Sequence, residues 1–226
     1  TSAFVQEVLS DMDKKYYGLE LGLESQVTST LKLKAAMALG EYIYANNPNL
    51  SLNSASFEDN LNYGKAYLKK YHLSGGPQTA AQVSFEYRDP DFWWFGVSLN
   101  YFANGFVDIN PLTRTLNFQQ DYDGLPLLDY DPEMASEFLK QEKFETYYLT
   151  NLVGGKSWRI KDKYLGTFIS LNNVLDVLYK SGGYEQARNS NYRSLKEDID
   201  RELPLFSNKY WYGQGTTFFV NVYLRF

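Results

Sequence analysis

The chain has 226 residues, 22 Lys and Arg against 27 Asp and Glu, a formal net charge of −5, no cysteine and 17% aromatic residues. The negative balance argues against nucleic acid as a partner, and the lack of cysteine excludes disulfide scaffolds, thiol catalysis and cysteine metal sites. The 20 Tyr and 15 Phe favour strands. No apolar run reaches the ~18 residues of a membrane helix, although alternating strands can cross a bilayer at a mean hydropathy as low as −0.44.

Residues 1–15 carry a weak helical period (Phe4, Val5, Val8, Leu9, Met12) and read as part of a loop. The start, Thr1-Ser2-Ala3-Phe4, is neither a signal peptide nor an initiator Met, so a processed chain or a piece of a longer one is expected. From Tyr16 to Gln26 the sequence alternates, with Tyr17, Leu19, Leu21 and Leu23 against Gly18, Glu20, Gly22 and Glu24. From Leu31 to Tyr44 it alternates again, with Leu31, Leu33, Ala35, Met37 and Leu39 on one face. Two such runs about a tight turn at Thr28-Ser29-Thr30 predict a hairpin.

A polar stretch, 45–76, follows, with a short extension placed at Lys65–Leu73. A third strand is expected over Pro77–Tyr87 and a fourth over Phe92–Phe102, turning at Asp89-Pro90-Asp91. Their apolar rows are Ala81, Val83, Phe85, Tyr87 and Trp93, Phe95, Val97, Leu99, Tyr101. After a loop over 103–143, strands are predicted at Phe144–Trp158, whose two faces are harder to tell apart, and at Tyr164–Asn173, which shows Leu165, Thr167, Ile169 and Leu171 on one side. A loop over 174–212 leads to the final strand, where Phe218, Val220, Val222, Leu224 and Phe226 share a face opposite Phe219, Asn221, Tyr223 and Arg225. Period two over so many residues marks strands that meet different solvents on their two faces.

Connections alternate short and long throughout, and each strand is about as long as the roughly 9–11 residues of a tilted membrane strand. Aromatic residues gather at strand ends: Tyr42, Tyr44, Tyr101, Tyr148 and Tyr212 at one level, Tyr87, Trp93, Trp158, Tyr164 and Phe226 at the other. Tight turns on one side, long loops on the other and two aromatic girdles are the pattern of an outer-membrane barrel. The expectation is therefore an all-β, antiparallel transmembrane β-barrel domain over 1–226. Seven strands with loose edges cannot stand alone in lipid, because each unpaired backbone group costs several kcal/mol there. They are expected to be the last strands of a larger barrel.

Groups for chemistry are sparse. His72 is the only histidine and sits beside Tyr71 in a loop extension, away from any expected nucleophile. Glu20, Glu24, Lys32 and Lys34 lie on the polar faces of adjacent strands, where cross-strand ion pairs are expected rather than acid–base catalysis. Asp121, Asp123, Asp129 and Asp131 crowd one loop, and Asp121-Tyr122-Asp123-Gly124 resembles the opening of a calcium loop. Pro132 stands where that loop needs its twelfth-position Glu, so the metal reading is weak and no metal is assigned. Tyr122 and Tyr130 interleave with Asp121 and Asp123 and are the ligand-binding candidates, since rings beside polar groups suit sugars or peptides. Ser74-Gly75-Gly76 and Ser181-Gly182-Gly183 lack the Lys-Ser/Thr and helix of a phosphate loop and read as turn glycines. No catalytic residue and no cofactor is assigned.

Several segments resemble the C-terminal barrel region of TonB-dependent outer-membrane receptors, particularly those of Bacteroidota. They are Ser170-Leu171-Asn172-Asn173-Val174-Leu175-Asp176 with Tyr179, Gly76-Pro77-Gln78, Tyr101-Phe102 with Asp108-Ile109-Asn110-Pro111 and Arg114-Thr115, Gly154-Lys156-Ser157-Trp158, and Tyr223-Leu224-Arg225-Phe226. Their order and spacing span nearly the whole chain. The end, with Leu224 and Phe226, is similar to the signal read by the barrel-assembly machinery, although Asn221 stands where that signal has Gly. The resemblance implies a 22-stranded barrel in the cell outer membrane and an N-terminal plug, absent from this chain, that couples to the TonB complex. It also implies ligand binding by plug and outer loops, with a surface lipoprotein as a further partner in some related systems. The rival readings are a passive outer-membrane porin and a soluble β-sandwich ligand-binding module such as a lectin, with an outer-membrane enzyme last.

Overall fold

The structure is a computed structural model that describes residues 5–54, 60–186 and 191–226. In chain order these form β1 (Gln6–Ser10), β2 (Lys14–Gln26), β3 (Leu31–Tyr44), β4 (Asn49–Asn53), β5 (Leu61–Lys65), β6 (Thr79–Arg88) and β7 (Trp93–Ala103), then helix α1 (Pro132–Phe138). There follow β8 (Tyr147–Ile160), β9 (Lys163–Asn172), β10 (Lys180–Tyr184), helix α2 (Tyr192–Ile199), β11 (Lys209–Tyr212) and β12 (Thr217–Arg225). The chain is all-β in class, and its main sheet has seven strands in the order β12-β9-β8-β7-β6-β3-β2, every pair antiparallel. All seven expected strands are present, each within a few residues of its expected ends. The sheet is open: β2 and β12 each have only one neighbour in it.

The register aligns the alternation across all seven strands. Leu21 stands opposite Met37, Met37 opposite Ala81 and Ala81 opposite Tyr101. Further along, Val97 faces Leu152, Leu152 faces Leu171 and Leu171 faces Phe218. Directly opposed residues point to the same side of a sheet, so the separate apolar rows merge into one continuous apolar face. The other face gathers Gln82, Ser84, Ser98, Asn100, Asn151, Ser170 and Asn221 with a minority of rings. On that face Glu24, Lys32, Lys34, Glu86 and Arg88 form a ladder of ion pairs between 2.6 and 3.8 Å. Glu20 is not part of it: it stands opposite Ala38.

The apolar face is uncovered. Leu23 is 69% exposed, Val83 61% and Val222 62%. The buried core lies instead in the three long connections, which all emerge at one end of the sheet. One cluster joins Tyr44, Leu50, Ala66, Leu68, Leu73, Ile109 and Leu112, and a second joins Phe118, Leu127, Ala135, Tyr192 and Leu195. We call this end the cap and the opposite end, with its tight turns at 27–30, 89–92 and 161–162, the turn end.

Three expectations are corrected. Residues 5–15 are not a loop with helical period: Gln6–Ser10 is a strand, pairing with β4 in a three-stranded sheet β1-β4-β5. Phe4 lies outside the described residues. The extension expected at Lys65–Leu73 belongs earlier, at Leu61–Lys65, and 66–73 turns back to the main sheet through a bridge between Ile43 and His72. The aromatic girdles are also thinner than the sequence suggests. Tyr42 pairs with Tyr16, and Tyr164 with Arg159 and Arg225, which puts these rings on the polar face. Tyr44 is buried in the cap core, and Tyr212 belongs to the two-stranded cap sheet β10-β11. Of the named rings, the apolar face keeps Tyr101 and Tyr148, paired with each other, at the cap end. At the turn end it keeps Tyr87, Trp93, Trp158 and Phe226.

Candidate functional site

The cap is built from polar ties that need all three long connections. Arg114, at the end of a 3-10 turn over Leu112–Arg114, has a side chain only 2% exposed. Its guanidinium forms a two-pronged ion pair with Glu185, donates to the carbonyl of Leu139 at 2.8 Å and of Asn110 at 3.1 Å, and lies over the Tyr71 ring at 4.7 Å. Glu185 also accepts from the Asn110 N–H at 2.9 Å. One buried cation thus fastens residues from the first, second and third connections. Planar guanidinium suits the role because its fixed fork matches a carboxylate in two places at once.

A second tie centres on Glu142. Its carboxylate accepts from Lys180 at 2.9 Å, Asn208 at 2.8 Å and Tyr210 at 2.6 Å. Burial pushes this carboxyl up, but the three donors outweigh that and hold its pKa below the ordinary 4.5. Lys180 is depressed by burial and lifted more strongly by Glu142, for a net rise above its ordinary value. At the root of the third connection, the side-chain amide of Asn173 donates to the carbonyls of Val177 and Gln214, while Asp176 accepts from the Thr216 N–H at 2.9 Å. The Asn-Asn-Val-Leu-Asp segment thereby fixes where β9 leaves the sheet and β12 enters it.

Between these ties a cavity of about 350 Å³ opens above the cap end of the main sheet. Its lining brings Ser74-Gly75-Gly76 and Ser181-Gly182-Gly183 to one hollow, with Phe106, Tyr147 and Trp211 as rings and Asp108 and Glu145 as carboxylates. Gly75 and Gly76 hold φ of 133° and 125°, which side chains rarely adopt, so they are bend glycines as expected. Ser181-Gly182-Gly183 is not a turn: it lies within β10, and the reading as turn glycines is corrected there. A Cβ on Gly183 would meet the Lys209 carbonyl oxygen at 2.6 Å, so glycine lets β10 and β11 approach. Asp108 and Glu145 make no ion pair among the described residues, whereas Lys180 is already held by Glu142. The hollow therefore offers ring faces, backbone groups and carboxylate acceptors without an uncommitted cation. That chemistry suits a neutral or cationic polar ligand and disfavours an anionic one. The sequence concealed it because its parts lie in three separate connections.

The aspartates and tyrosines singled out from the sequence lie elsewhere in the cap. Asp121 turns its carboxylate onto the N–H groups of Asp123 and Leu125 at 3.0 and 2.8 Å. Asp131 caps α1 by accepting from Glu133 and Met134. Asp129 pairs with Arg193 at 2.6 Å, and that hydrogen bond holds its carboxyl below the usual range. Among the described residues no three His, Asp or Glu side chains converge as metal ligands. Tyr122 is 83% exposed, and Tyr130 packs edge-on against Tyr192 with ring centroids 5.1 Å apart. His72 is stacked flat on Phe106, centroids 3.8 Å apart, with Nδ1 3.3 Å from Gln78 Oε1, so it backs the cavity wall. Leu224 and Phe226 lie on the apolar face at the turn end.

No protein-family model matches the chain, and no curated protein matches it.

Proposed function

We propose that the chain is the C-terminal part of a TonB-dependent active-transport receptor of the outer membrane, forming barrel wall and outer ligand-binding loops. The observation that carries the reading is the continuous, uncovered apolar face of a seven-strand meander whose true core lies only in the cap. A soluble sheet with this face would bury it against a second layer, whereas lipid supplies the cover in a membrane barrel. The two open edges, β2 and β12, support closure by further strands, because lipid leaves no unpaired edge unpunished. With the long connections outermost, β12 runs inward and the assembly machinery meets Leu224 and Phe226 from the inner side. The plug that fills the lumen and engages the TonB complex belongs to the preceding part of the receptor. The cavity between the Ser-Gly-Gly segments is the part of the ligand site this chain supplies, open to a lid such as a surface lipoprotein. The chain acts as a transporter wall, not an enzyme.

The test is the intact receptor reconstituted in planar bilayers. A plugged receptor gives no steady conductance until the plug is removed, and its uptake stops when the proton gradient is collapsed. Steady open conductance with gradient-independent uptake would replace this reading with that of a passive porin.

A further inference from the structure

The apolar face carries a groove of about 360 Å³ between β8 and β9. Its floor is Gly154, which stands between Phe95 and Ile169 in the register; a Cβ there would meet the Trp94 carbonyl oxygen at 3.1 Å, so glycine keeps the floor low. Leu152, Ile169 and Leu171 form its apolar walls, and Lys156 closes the end nearer the turns. Lys156 lies on the apolar face, opposite Trp93 and Thr167. Its Nζ is 5.8 Å from the Trp158 ring centre. Lys163, lower on the same face, places its Nζ 4.6 Å from the ring centre of Phe226. Neither ammonium pairs with a carboxylate among the described residues.

The two ends of the molecule differ in charge. Cap segment 121–137 carries six acids and no base, whereas segment 156–163 at the turn end carries four bases against Asp162 alone. A lysine on a lipid-facing surface extends its ammonium toward the headgroups while its stem stays among the acyl chains. An apolar trough that ends on an unpaired ammonium, with a second ammonium below it and aromatic rings beside both, has the form of a lipid's tail and phosphate.

We propose that this groove binds an anionic phospholipid of the membrane leaflet next to the tight turns, one acyl chain lying over Gly154 and the phosphate held at Lys156, with Lys163 adding positive charge beside the headgroup. The proposal rests on the membrane reading above and adds to it a specific annular lipid. Basic residues at a membrane surface each add about fivefold to the affinity for anionic lipid.

The full receptor, purified in mild detergent and supplied with phosphatidylglycerol or phosphatidylethanolamine, is examined by native mass spectrometry for retained lipid. Phosphatidylglycerol is retained in preference, Lys156→Gln and Lys163→Gln each lower its retention about fivefold without changing that of phosphatidylethanolamine, and Gly154→Leu lowers retention of both. Inorganic phosphate in excess leaves the lipid bound. Equal retention of the two lipids, unchanged retention in both lysine variants, or displacement by phosphate overturns the proposal. Should Gly154→Leu not fold, the lysine variants decide alone. A receptor that stays dispersed without detergent and carries no lipid contradicts the membrane reading itself, a different signature from loss of headgroup preference.

Discussion

The cap and the main sheet are made by opposite rules. In the cap, Leu50 and Leu68 are 1% and 0% exposed, and polar groups are fastened inside by Arg114 and Glu142. In the main sheet, leucines and valines such as Leu23, Val83, Val220 and Val222 stand more than half exposed on one face, and the polar groups are spread over the other. The cap is stabilised as a soluble protein is, by removing apolar area from water. The sheet has regular backbone pairing but no core of its own, so its stability depends on what covers the apolar face. The same substitution should therefore have different consequences in the two regions.

The largest effect is expected at Arg114. Removing one member of a buried ion pair leaves the other charge without compensation and costs about 3–5 kcal/mol. Arg114→Ala should free all three connections, seen as lost hydrogen-exchange protection in 66–73, 105–145 and 180–186 while the main sheet stays protected. Protection lost equally in β7 and β8 would mean cap and sheet fold as one unit. Next comes a charge on the apolar face. Val97→Arg and Val222→Arg should each cost about 2–4 kcal/mol in a bilayer, measured by denaturant titration in liposomes. Ser98→Arg, one residue along on the polar face, should cost far less. An equal loss would undo the assignment of faces.

A truncation pair sharpens the contrast. Leu68→Ala, in the cap core, should cost about 2–5 kcal/mol by cavity formation, against under about 1 kcal/mol for the exposed Leu99→Ala in detergent. The smallest effects belong to acid and to surface charge. The carboxyl of Glu142 is depressed in the folded cap, so its contribution is full above the unfolded value of 4.5 and is lost as pH falls through the lower folded value. Cap stability should rise with pH across that acidic window, and Glu142→Gln should flatten the slope in pH-dependent hydrogen exchange. Glu24→Gln in the exposed ladder should leave stability nearly unchanged, the more so at high salt.

Six of the seven long strands were legible because each carries its own period-two signal, which needs no knowledge of any partner; the fifth, whose faces are hard to tell apart, was placed by its length and flanking loops. Alternation also limits register to even steps, since a slip of one residue would turn an apolar row to the wrong face, but it does not choose among them. The cap was not legible. β1, β4 and β5 are five residues each, too short for alternation to stand out from a polar background. Ser181-Gly182-Gly183 looked like a turn because glycine signals both a bend and a close approach of strands, and only the neighbouring Lys209 carbonyl tells them apart. Tyr42 and Tyr164 seemed to belong to the girdles because only their level along the strand was counted; their parity, even where the apolar rows are odd, already sets them on the polar face. The acidic loop attracted attention by composition, yet three of its four aspartates serve a turn, an ion pair and a helix cap. The cavity depends on residues from separate connections, and nothing local marks them.

The most direct test uses the absence of native cysteine. Single cysteines placed in turn along β7, from Trp93 to Ala103, are spin-labelled in the intact receptor in a bilayer. Each label is then scored for relaxation by oxygen dissolved in lipid and by a water-soluble nickel complex. The account predicts an alternation: labels in the row of Phe95, Val97 and Leu99 respond to oxygen, and those in the row of Gly96, Ser98 and Asn100 do not. Labels shielded from both agents along the first row would show that face packed against protein, as in a soluble sandwich, and would contradict the membrane wall.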